Sequence, residues 1–320
     1  MITANSIEQA YQRIQPDIIK TPLVYSQELS KISGANVYLK MEHLQQTGSF
    51  KIRGVLNKLS DLDTEAYQKT FVASSTGNHA AAFCFAAEKF GFQGVLFLPK
   101  NITDAKLNAI TSPKVKKVLF GNNSVEAEHK ATMYAKEIDG ILVHPYNDLK
   151  IIEGQGTLGA EIATQLPNID VVLAPVGGGG LISGLSIYFA EKNTSVIGCQ
   201  PENASEMYES IIKNEIVPPS ELKTVADAAA GGVEKDAATF HICKQYLNGF
   251  EILTEEAIKK AVALLMKHHQ IIVEATAALP VAALLNSSNY KDKNVVLVLT
   301  GKKIDKNLFK EIQNTYDYCN

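Results

Sequence analysis

Asp170-Val171-Val172-Leu173-Ala174-Pro175-Val176-Gly177-Gly178-Gly179-Gly180-Leu181 joins a buried-type strand to four consecutive glycines and the start of an apolar segment. Consecutive glycines are costly in conformational entropy, and they let the backbone approach a bound group closely. Between a strand and a helix, such a loop presents N–H groups and the positive end of the helix dipole to an anion. The stretch has neither the ending of a P-loop nor the G-x-G-x-x-G dinucleotide pattern. We predict that this tetraglycine loop (Gly177, Gly178, Gly179 and Gly180) cradles a phosphate; the alternative is a flexible turn.

Short β-branched runs alternate with amphipathic windows along the rest of the 320 residues. This alternation is typical of parallel sheets with helices on both faces. We predict an α/β fold with two three-layer α/β/α domains and mostly parallel twisted sheets, the smaller domain inserted in the larger. Residues 1–68 and 147–320 form the predicted larger domain, and residues 69–146 form the smaller one.

The predicted elements follow from the same periodicity. In the smaller domain we predict strands at 70–73, 94–98, 115–120 and 141–144, and helices that start near Asn78, Asp104 and Ser124. In the larger domain we predict strands at 36–40, 171–175, 195–199 and 294–299, and helices at 51–59, 156–165, 254–268 and 275–285. Ser6 is predicted to open the first helix through a capping box. The chain ends soon after the last strand and helix, so we expect no C-terminal effector domain.

The composition excludes several classes of protein. A net charge of −3 gives no reason to expect nucleic acid or an anionic membrane as a partner. No apolar stretch approaches the length of a membrane span. The four cysteines are far apart, without the spacing of a metal site or a disulfide framework: Cys84, Cys199, Cys243 and Cys319. We therefore expect a protein of the reducing cytoplasm.

Lys51 lies between apolar side chains in the run Ser49-Phe50-Lys51-Ile52-Arg53-Gly54. An ammonium group among apolar groups is disfavoured, so its pKa falls and a nucleophilic free amine becomes available. A Schiff-base lysine requires such an amine. The alternative is a lysine that extends from a helix surface into water.

The run Ser74-Ser75-Thr76-Gly77-Asn78-His79 also leads from a strand into a helix. Its hydroxyl and N–H groups suit a carboxylate, and Asn78 can hydrogen-bond a ring oxygen; the alternative is a plain helix N-cap. With Lys51 and the tetraglycine loop, the chain has an amine for a carbonyl, a cradle for a phosphate and a second anion site. A phosphorylated aldehyde cofactor and an amino acid require this combination.

At these residues the chain resembles the pyridoxal-phosphate enzymes of fold type II, the tryptophan synthase β-like fold. Within that fold type it is similar to the branch of threonine/serine dehydratases and serine racemases. The resemblance extends from Thr21-Pro22-Leu23 to the strand before Thr300. Its strongest elements are residues 49–54, 75–79, the run Gly154-Gln155-Gly156-Thr157, and the tetraglycine loop. It implies pyridoxal 5'-phosphate as the cofactor and a homodimer as the assembly.

The resemblance also implies roles for individual residues. Lys51 would be the Schiff-base lysine and would move the Cα proton, with Thr76 as the second catalytic candidate. The implied cofactor-binding residues are Phe50, Lys51, Asn78, Gly177, Gly178, Gly179, Gly180 and Thr300. The implied substrate-binding residues, which would hold the carboxylate, are Ser75, Thr76, Gly77 and His79. Glu274 would either balance charge near the cofactor ring or cap its own helix.

Three departures from the family pattern affect these expectations. Thr76 stands where racemases have serine and many dehydratases have alanine, so its hydroxyl keeps an acid available on the face opposite Lys51. The divalent-cation site, for Mg²⁺ or Ca²⁺, would use Ala204 and Glu206, but Gln200 replaces a glutamate and weakens it. Gly301-Lys302-Lys303 replaces the usual Gly-Gly-Asn, which puts the identity of the substrate in doubt.

The resulting prediction is a lyase that eliminates water and ammonia from L-threonine or L-serine and releases a 2-oxo acid. Three alternatives stay open. A serine (amino acid) racemase is the first, and Thr76 decides it. A β-replacement enzyme similar to cysteine synthase is the second. A phosphate-binding module without catalytic activity is the third, and it would not need the amine of Lys51.

Overall fold

The computed structural model describes residues 1–316 and contains two separate sheets within that range. The strands are β1 (Leu23–Tyr25), β2 (Asn36–Lys40), β3 (Phe71–Ser74), β4 (Gly94–Leu98), β5 (Val115–Leu119), β6 (Ile141–Leu142), β7 (Val171–Pro175), β8 (Ser195–Pro201), β9 (Gly249–Leu253) and β10 (Asn294–Val298). The six-stranded sheet has the order β1-β2-β10-β7-β8-β9, and the four-stranded sheet has the order β5-β4-β3-β6. Only the β1–β2 pair is antiparallel among these strands.

Helices connect the parallel strands, as parallel pairing requires. They are α1 (Ala4–Ile14), α2 (Gln27–Ser33), α3 (Lys51–Ser60), α4 (Asn78–Phe90), α5 (Asp104–Asn108), α6 (Ser124–Glu137), α7 (Leu149–Gln165), α8 (Gly180–Phe189), α9 (Glu206–Lys213), α10 (Ala238–Tyr246), α11 (Glu255–His269), α12 (Ala275–Asn286) and α13 (Lys306–Thr315). No helix within residues 1–316 is both long and apolar enough to cross a membrane.

The core forms on both faces of each sheet because successive side chains of a strand point to opposite faces. In the larger sheet, Leu173 packs with the apolar side chains of α2, α11 and α12, whereas Val172 packs with those of α1, α7 and α8. In the smaller sheet, Phe71 packs against α3 and α4, and Val72 packs against α6. Both sheets are therefore the middle layer of an α/β/α arrangement, and the predicted fold class is confirmed.

The domain limits stay a prediction. All four strands of the smaller sheet lie between residues 69 and 146, and the strands of the larger sheet come from 1–68 and 147–320. Cys84, Cys199 and Cys243 are buried free thiols, and Cys319 lies outside the described residues.

Three local predictions differ from the structure. The first helix begins at Ala4 with Thr3 as its N-cap; Ser6 is the third helical residue and completes the capping box with Thr3. The strand predicted at 141–144 extends only over Ile141–Leu142; Val143 still donates to the Val72 carbonyl oxygen, and the His144 ring accepts hydrogen bonds from the backbone that follows. The helix predicted at 156–165 begins at Leu149, where Asp148 accepts hydrogen bonds from the first turn.

Close contacts at glycines fix the helices that carry the candidate site. A Cβ atom at Gly154 of α7 would lie 2.7 Å from Gly54 Cα of α3, and a Cβ atom at Gly184 of α8 would lie 2.5 Å from Gly156 N. Real side chains never come so near backbone atoms, so only glycine permits these crossings. The Gly154-Gln155-Gly156-Thr157 run therefore holds α3, α7 and α8 together, and with them Lys51 and the tetraglycine loop.

Candidate active site

Lys51 is the first residue of α3, and its amine is part-buried. The Nζ atom donates a hydrogen bond to the carbonyl oxygen of Pro145 at 2.8 Å and lies 5.3 Å from the centroid of the Phe50 ring. Burial lowers the pKa of Lys51 to about 8, although the charges of Glu128 and Glu274 oppose the shift. About a tenth of the amine is therefore uncharged at pH 7, far more than for an ordinary lysine, and available as a nucleophile or base.

A buried ionic network anchors the start of α3. The guanidinium group of Arg53 contacts Glu42 at 2.8 Å and Glu161 at 3.0 Å, and Lys40 contacts Glu161 from the other side. All four side chains have no exposed surface. Burial alone would raise the pKa of Glu42, but the charge of Arg53 and its hydrogen bonds hold it below its usual value. The network fixes the helix turn from which Lys51 extends.

The tetraglycine loop follows β7 and leads into α8. Gly179 has φ of 92°, in the left-handed region that favours glycine. A Cβ atom at Gly178 would lie 2.4 Å from the Tyr146 ring, and one at Gly180 would lie 3.0 Å from Tyr146 Cβ. The loop therefore lies directly against Tyr146, the residue after the hydrogen-bond acceptor of Lys51. The Lys51 amine and the tetraglycine loop thus contact two adjacent residues, Pro145 and Tyr146.

Hydrogen bonds with His144 and Glu234 hold the Pro145–Tyr146 segment in place. His144 Nδ1 accepts hydrogen bonds from the backbone N–H groups of Tyr146 and Asn147, at 3.2 and 2.8 Å. Its Nε2 atom therefore carries the proton, and it donates to Glu234 at 3.0 Å. Glu234 also accepts from Asn147, and its own N–H group donates to the Tyr146 hydroxyl.

The loop between β3 and α4 places Ser75, Thr76 and Gly77 before the helix N-terminus, and all three are half-buried. The first N–H groups of a helix have no partner within the helix, which suits an anion. The His79 side chain is turned away: Nε2 donates to the Val143 carbonyl at 2.8 Å, and Nδ1 has no partner. Burial and the charge of Lys51 lower the pKa of His79 to about 3, so its ring is neutral.

Asn78, the first residue of α4, is hydrogen-bonded to Glu274, the residue before α12. Its Nδ2 atom donates to both carboxylate oxygens of Glu274, at 3.0 and 2.9 Å. Burial raises the pKa of Glu274 to about 7 although the Asn78 hydrogen bonds oppose the shift. Glu274 occupies the N-cap position of α12, but its side chain makes no capping hydrogen bond and binds Asn78 instead.

Thr300 lies at the end of β10 and is buried. Its carbonyl oxygen accepts a hydrogen bond from Phe50 at 3.2 Å, and the next residue, Gly301, accepts from the N–H group of Glu274. Hydrogen bonds therefore connect Phe50 with Thr300, the next residue Gly301 with Glu274, and Glu274 with Asn78. The sequence-predicted residues are grouped between the carboxyl ends of the strands of both sheets, where α/β folds bind their ligands.

Comparison with known proteins identifies the class of the chain. Residues 14–301 match the family described as "Pyridoxal-phosphate dependent enzyme", and the chain belongs to that family. It is therefore an enzyme and not a phosphate-binding module without activity.

Individual relatives show which members of this family the chain is similar to. The chain is 37% identical over 316 residues to an L-threonine ammonia-lyase of Thermotoga maritima, and the match covers 98% of this chain and 79% of that protein. The structure is similar to serine racemase from Dictyostelium discoideum, with a TM-score of 0.87, 32% identity, and 95% and 99% of the two chains covered. It is also similar to the processed form of threonine deaminase isoform 2 from Solanum lycopersicum, with a TM-score of 0.88, 29% identity, and 97% and 88% covered.

The residues of the site fit the cofactor of this family. Asn78 Oδ1 and Thr300 Oγ1 are buried oxygens without a hydrogen-bond partner, and buried polar atoms normally have one. Asn78 Oδ1 can only accept a hydrogen bond, so it suits a ring hydroxyl group; the Thr300 hydroxyl suits a ring nitrogen. The tetraglycine loop would hold the phosphate, and the Lys51 amine would meet the aldehyde.

Two residues of the predicted cation site, Gln200 and Ala204, bind each other, and Glu206 binds a different segment. Gln200 is fully buried; its amide nitrogen donates to the Ala204 carbonyl at 3.3 Å, and its amide oxygen accepts from the N–H group of Tyr208. Glu206 accepts from the N–H group of Ser220 at 2.9 Å. Among residues 1–316, no group of three or more His, Cys, Asp or Glu side chains is placed to hold a metal ion.

Sequence reasoning missed the residues that line the site next to Lys51. These are Glu128, His144, Pro145, Tyr146 and Glu234. The position of His144 and Pro145 at the end of a predicted strand was the available signal, because strand ends meet at one edge of a parallel sheet. No sequence signal distinguishes Glu128 from the other acidic residues of α6.

Proposed function

We propose that the enzyme is an ammonia-lyase that removes the elements of water and ammonia from L-threonine or L-serine. One observation carries the proposal: a part-buried lysine amine with a lowered pKa lies beside a glycine loop that suits a phosphate. The L-threonine ammonia-lyase at 37% identity supports this substrate class. A β-hydroxy amino acid supplies the Cα proton and the leaving group that the elimination requires.

Each group of the chain has a task in this proposal. Pyridoxal 5'-phosphate, when bound, supplies an electron sink that makes the Cα–H bond of the amino acid acidic. Lys51 takes the Cα proton, and its contact with Pro145 holds the amine in position. Asn78, Thr300 and Phe50 hold the ring region, and the loop of four glycines holds the phosphate. Glu274 positions Asn78 through two hydrogen bonds.

The substrate carboxylate would bind at the start of α4. Ser75, Thr76 and Gly77 supply hydroxyl and N–H groups there, and His79 contributes through its backbone because its ring is bound to Val143. A neutral His79 ring adds no charge to this site. Binding of the carboxylate there would orient the Cα–H bond toward Lys51.

Racemisation is the second candidate, because Thr76 keeps a hydroxyl group and the structure is similar to a serine racemase. The purified holoenzyme should be incubated with L-threonine and L-serine, and both 2-oxo acid and D-enantiomers should be quantified. We expect 2-oxo acid as the main product. Formation of D-serine faster than pyruvate would reject the lyase proposal.

A variant separates the two candidate activities. Thr76→Ala should retain elimination and lose any racemisation, because only reprotonation from the face opposite Lys51 needs the hydroxyl. The ratio of D-serine to pyruvate measures this directly. An equal fall in both products would contradict the assignment of separate faces to Lys51 and Thr76.

The proposed function needs no Mg²⁺ or Ca²⁺ at the predicted cation site, because the Gln200 amide already donates a hydrogen bond to the Ala204 carbonyl oxygen that a cation would use. We expect EDTA to leave the unfolding temperature and the activity unchanged. Gln200→Glu replaces the donor with a carboxylate and should make the unfolding temperature rise with added Mg²⁺ or Ca²⁺. A lower unfolding temperature of the wild-type enzyme in EDTA would contradict this expectation.

The homodimer and the cytoplasmic location belong to the proposal as well. Val24 and Tyr25 on edge strand β1 and Ile32 on α2 are exposed large apolar side chains, which supports a subunit contact at this edge. Sedimentation of the purified protein distinguishes a dimer from a monomer.

A further inference from the structure

We propose that Glu128 is a catalytic acid of this enzyme: its carboxyl group gives a proton to the β-hydroxyl group as that group leaves. The proposal rests on the lyase function above and assigns one more residue to it. The acid step needs a carboxyl group beside Lys51, protonated near neutral pH and free to bind substrate.

The topology places Glu128 at the site. The strands of the smaller sheet are parallel, so the segments after β3, β5 and β6 all leave from the same edge. Ser75 follows β3, and His144 follows β6. The helix α6 follows β5, and its first turns, which include Glu128, therefore lie at that edge too. Ala127 and Ala131 bury one side of α6 against the sheet, and Glu128 is half-buried beside them.

The groups around Glu128 come from three other segments. Its carboxyl group is within electrostatic reach of Lys51 on α3, His144 and Tyr146 after β6, and Glu234 before α10. His144, Tyr146 and Glu234 are tied to one another by hydrogen bonds. Glu128 is therefore the acidic group of this cluster that remains uncommitted: within residues 1–316, no hydrogen bond or ion pair to its carboxyl group is formed.

The electrostatic setting keeps about half of the Glu128 carboxyl groups protonated at pH 7. Burial raises its pKa to about 7, and the charge of Glu234 adds to the shift, whereas His144 and Lys51 oppose it. The neighbours cannot take its role. His144 Nδ1 is committed as an acceptor, the Glu234 carboxylate accepts from His144 and Asn147, and Lys51 is the base.

The step balances without a further reactant. The Cα–H bond breaks and its proton goes to Lys51, while the electron pair forms the Cα–Cβ double bond. The Cβ–O bond breaks, and the hydroxyl group takes the Glu128 proton and leaves as water. Glu128 becomes a carboxylate and recovers a proton from solvent. Because Glu128 acts in its protonated form, its contribution is present below pH 7 and is lost as pH rises through its pKa.

The test compares two leaving groups in Glu128→Gln. Hydroxide needs an acid to leave, whereas chloride does not, so L-serine and β-chloro-L-alanine separate the acid step from all other steps. We expect kcat/KM for L-serine to fall by about 100-fold or more and that for β-chloro-L-alanine to change by less than about 3-fold. The loss of L-serine turnover of the wild-type enzyme above pH 7 should also be absent from its β-chloro-L-alanine profile.

Two controls separate the loss of the acid step from a loss of folding or of cofactor binding. Glu137→Gln changes an exposed acid of the same helix and should leave both substrates unchanged. Retained β-chloro-L-alanine turnover and cofactor absorbance show that Glu128→Gln is folded and loaded. An equal fall for both substrates, or unchanged L-serine turnover, would overturn the role of Glu128. A wild-type enzyme that eliminates chloride but not water would instead overturn the proposed function and, with it, this role.

Discussion

Lys51→Ala is expected to reduce turnover of L-threonine by about 1,000-fold or more, because it removes the base that takes the Cα proton. The substitution leaves the fold intact, since the amine makes one hydrogen bond, to Pro145, and lies at the first position of α3. Single-turnover kinetics of the purified variant with saturating cofactor measure the loss. The same variant should lose the visible absorbance of bound cofactor.

A matched control separates the loss of this amine from the loss of any lysine. Lys31→Ala removes an exposed lysine on α2 and should leave turnover unchanged. Added methylamine can replace part of a missing amine and should partly restore Lys51→Ala. Full turnover of Lys51→Ala would contradict the assignment of the base.

Arg53→Ala is expected to destabilise the folded state by about 3–5 kcal/mol, because it leaves the buried Glu42 and Glu161 without their shared counter-charge. The free energy of unfolding in urea measures this cost. The comparison is Arg13→Ala, which loses a 2.8 Å ion pair with Asp61 that is about a third exposed and part-buried hydrogen bonds to Asn57, so that this substitution should cost less, about 1–2 kcal/mol.

The same substitution tests how the network positions the site. Arg53 lies two residues after Lys51, and its contacts fix the first turn of α3. We therefore expect Arg53→Ala, where it remains folded at low temperature, to lower kcat as well. A stability equal to that of Arg13→Ala would mean that the buried network does not stabilise this turn.

The sequence predicted those elements whose signals are local. The strands at 94–98 and 171–175 have the same limits in the structure, because continuous apolar runs specify buried parallel strands. Residue chemistry singled out Lys51 and the glycine loop, and the family resemblance implied their roles, which stay predictions. The structure adds that they share a neighbour, the Pro145–Tyr146 pair.

Contacts between distant segments account for what the sequence did not reveal. The helix was predicted from residue 156, whereas α7 begins at Leu149, and the glycines at 154 and 156 lie inside it because they are required where α7 crosses α3 and α8. The hydrogen bonds of Glu234 to His144 and Asn147, and those of Asn78 to Glu274, join residues far apart in the chain. No periodicity encodes such pairs, since they depend on how the two sheets face each other.

Mass spectrometry of the borohydride-treated holoenzyme tests the central claim most directly. Borohydride makes the bond between a lysine and pyridoxal 5'-phosphate permanent, and digestion then locates the pyridoxyl group. We predict that the group is found on the peptide that contains Lys51 and that this modification is absent from Lys51→Ala. A pyridoxyl group on another lysine, or none on the active holoenzyme, would contradict the account.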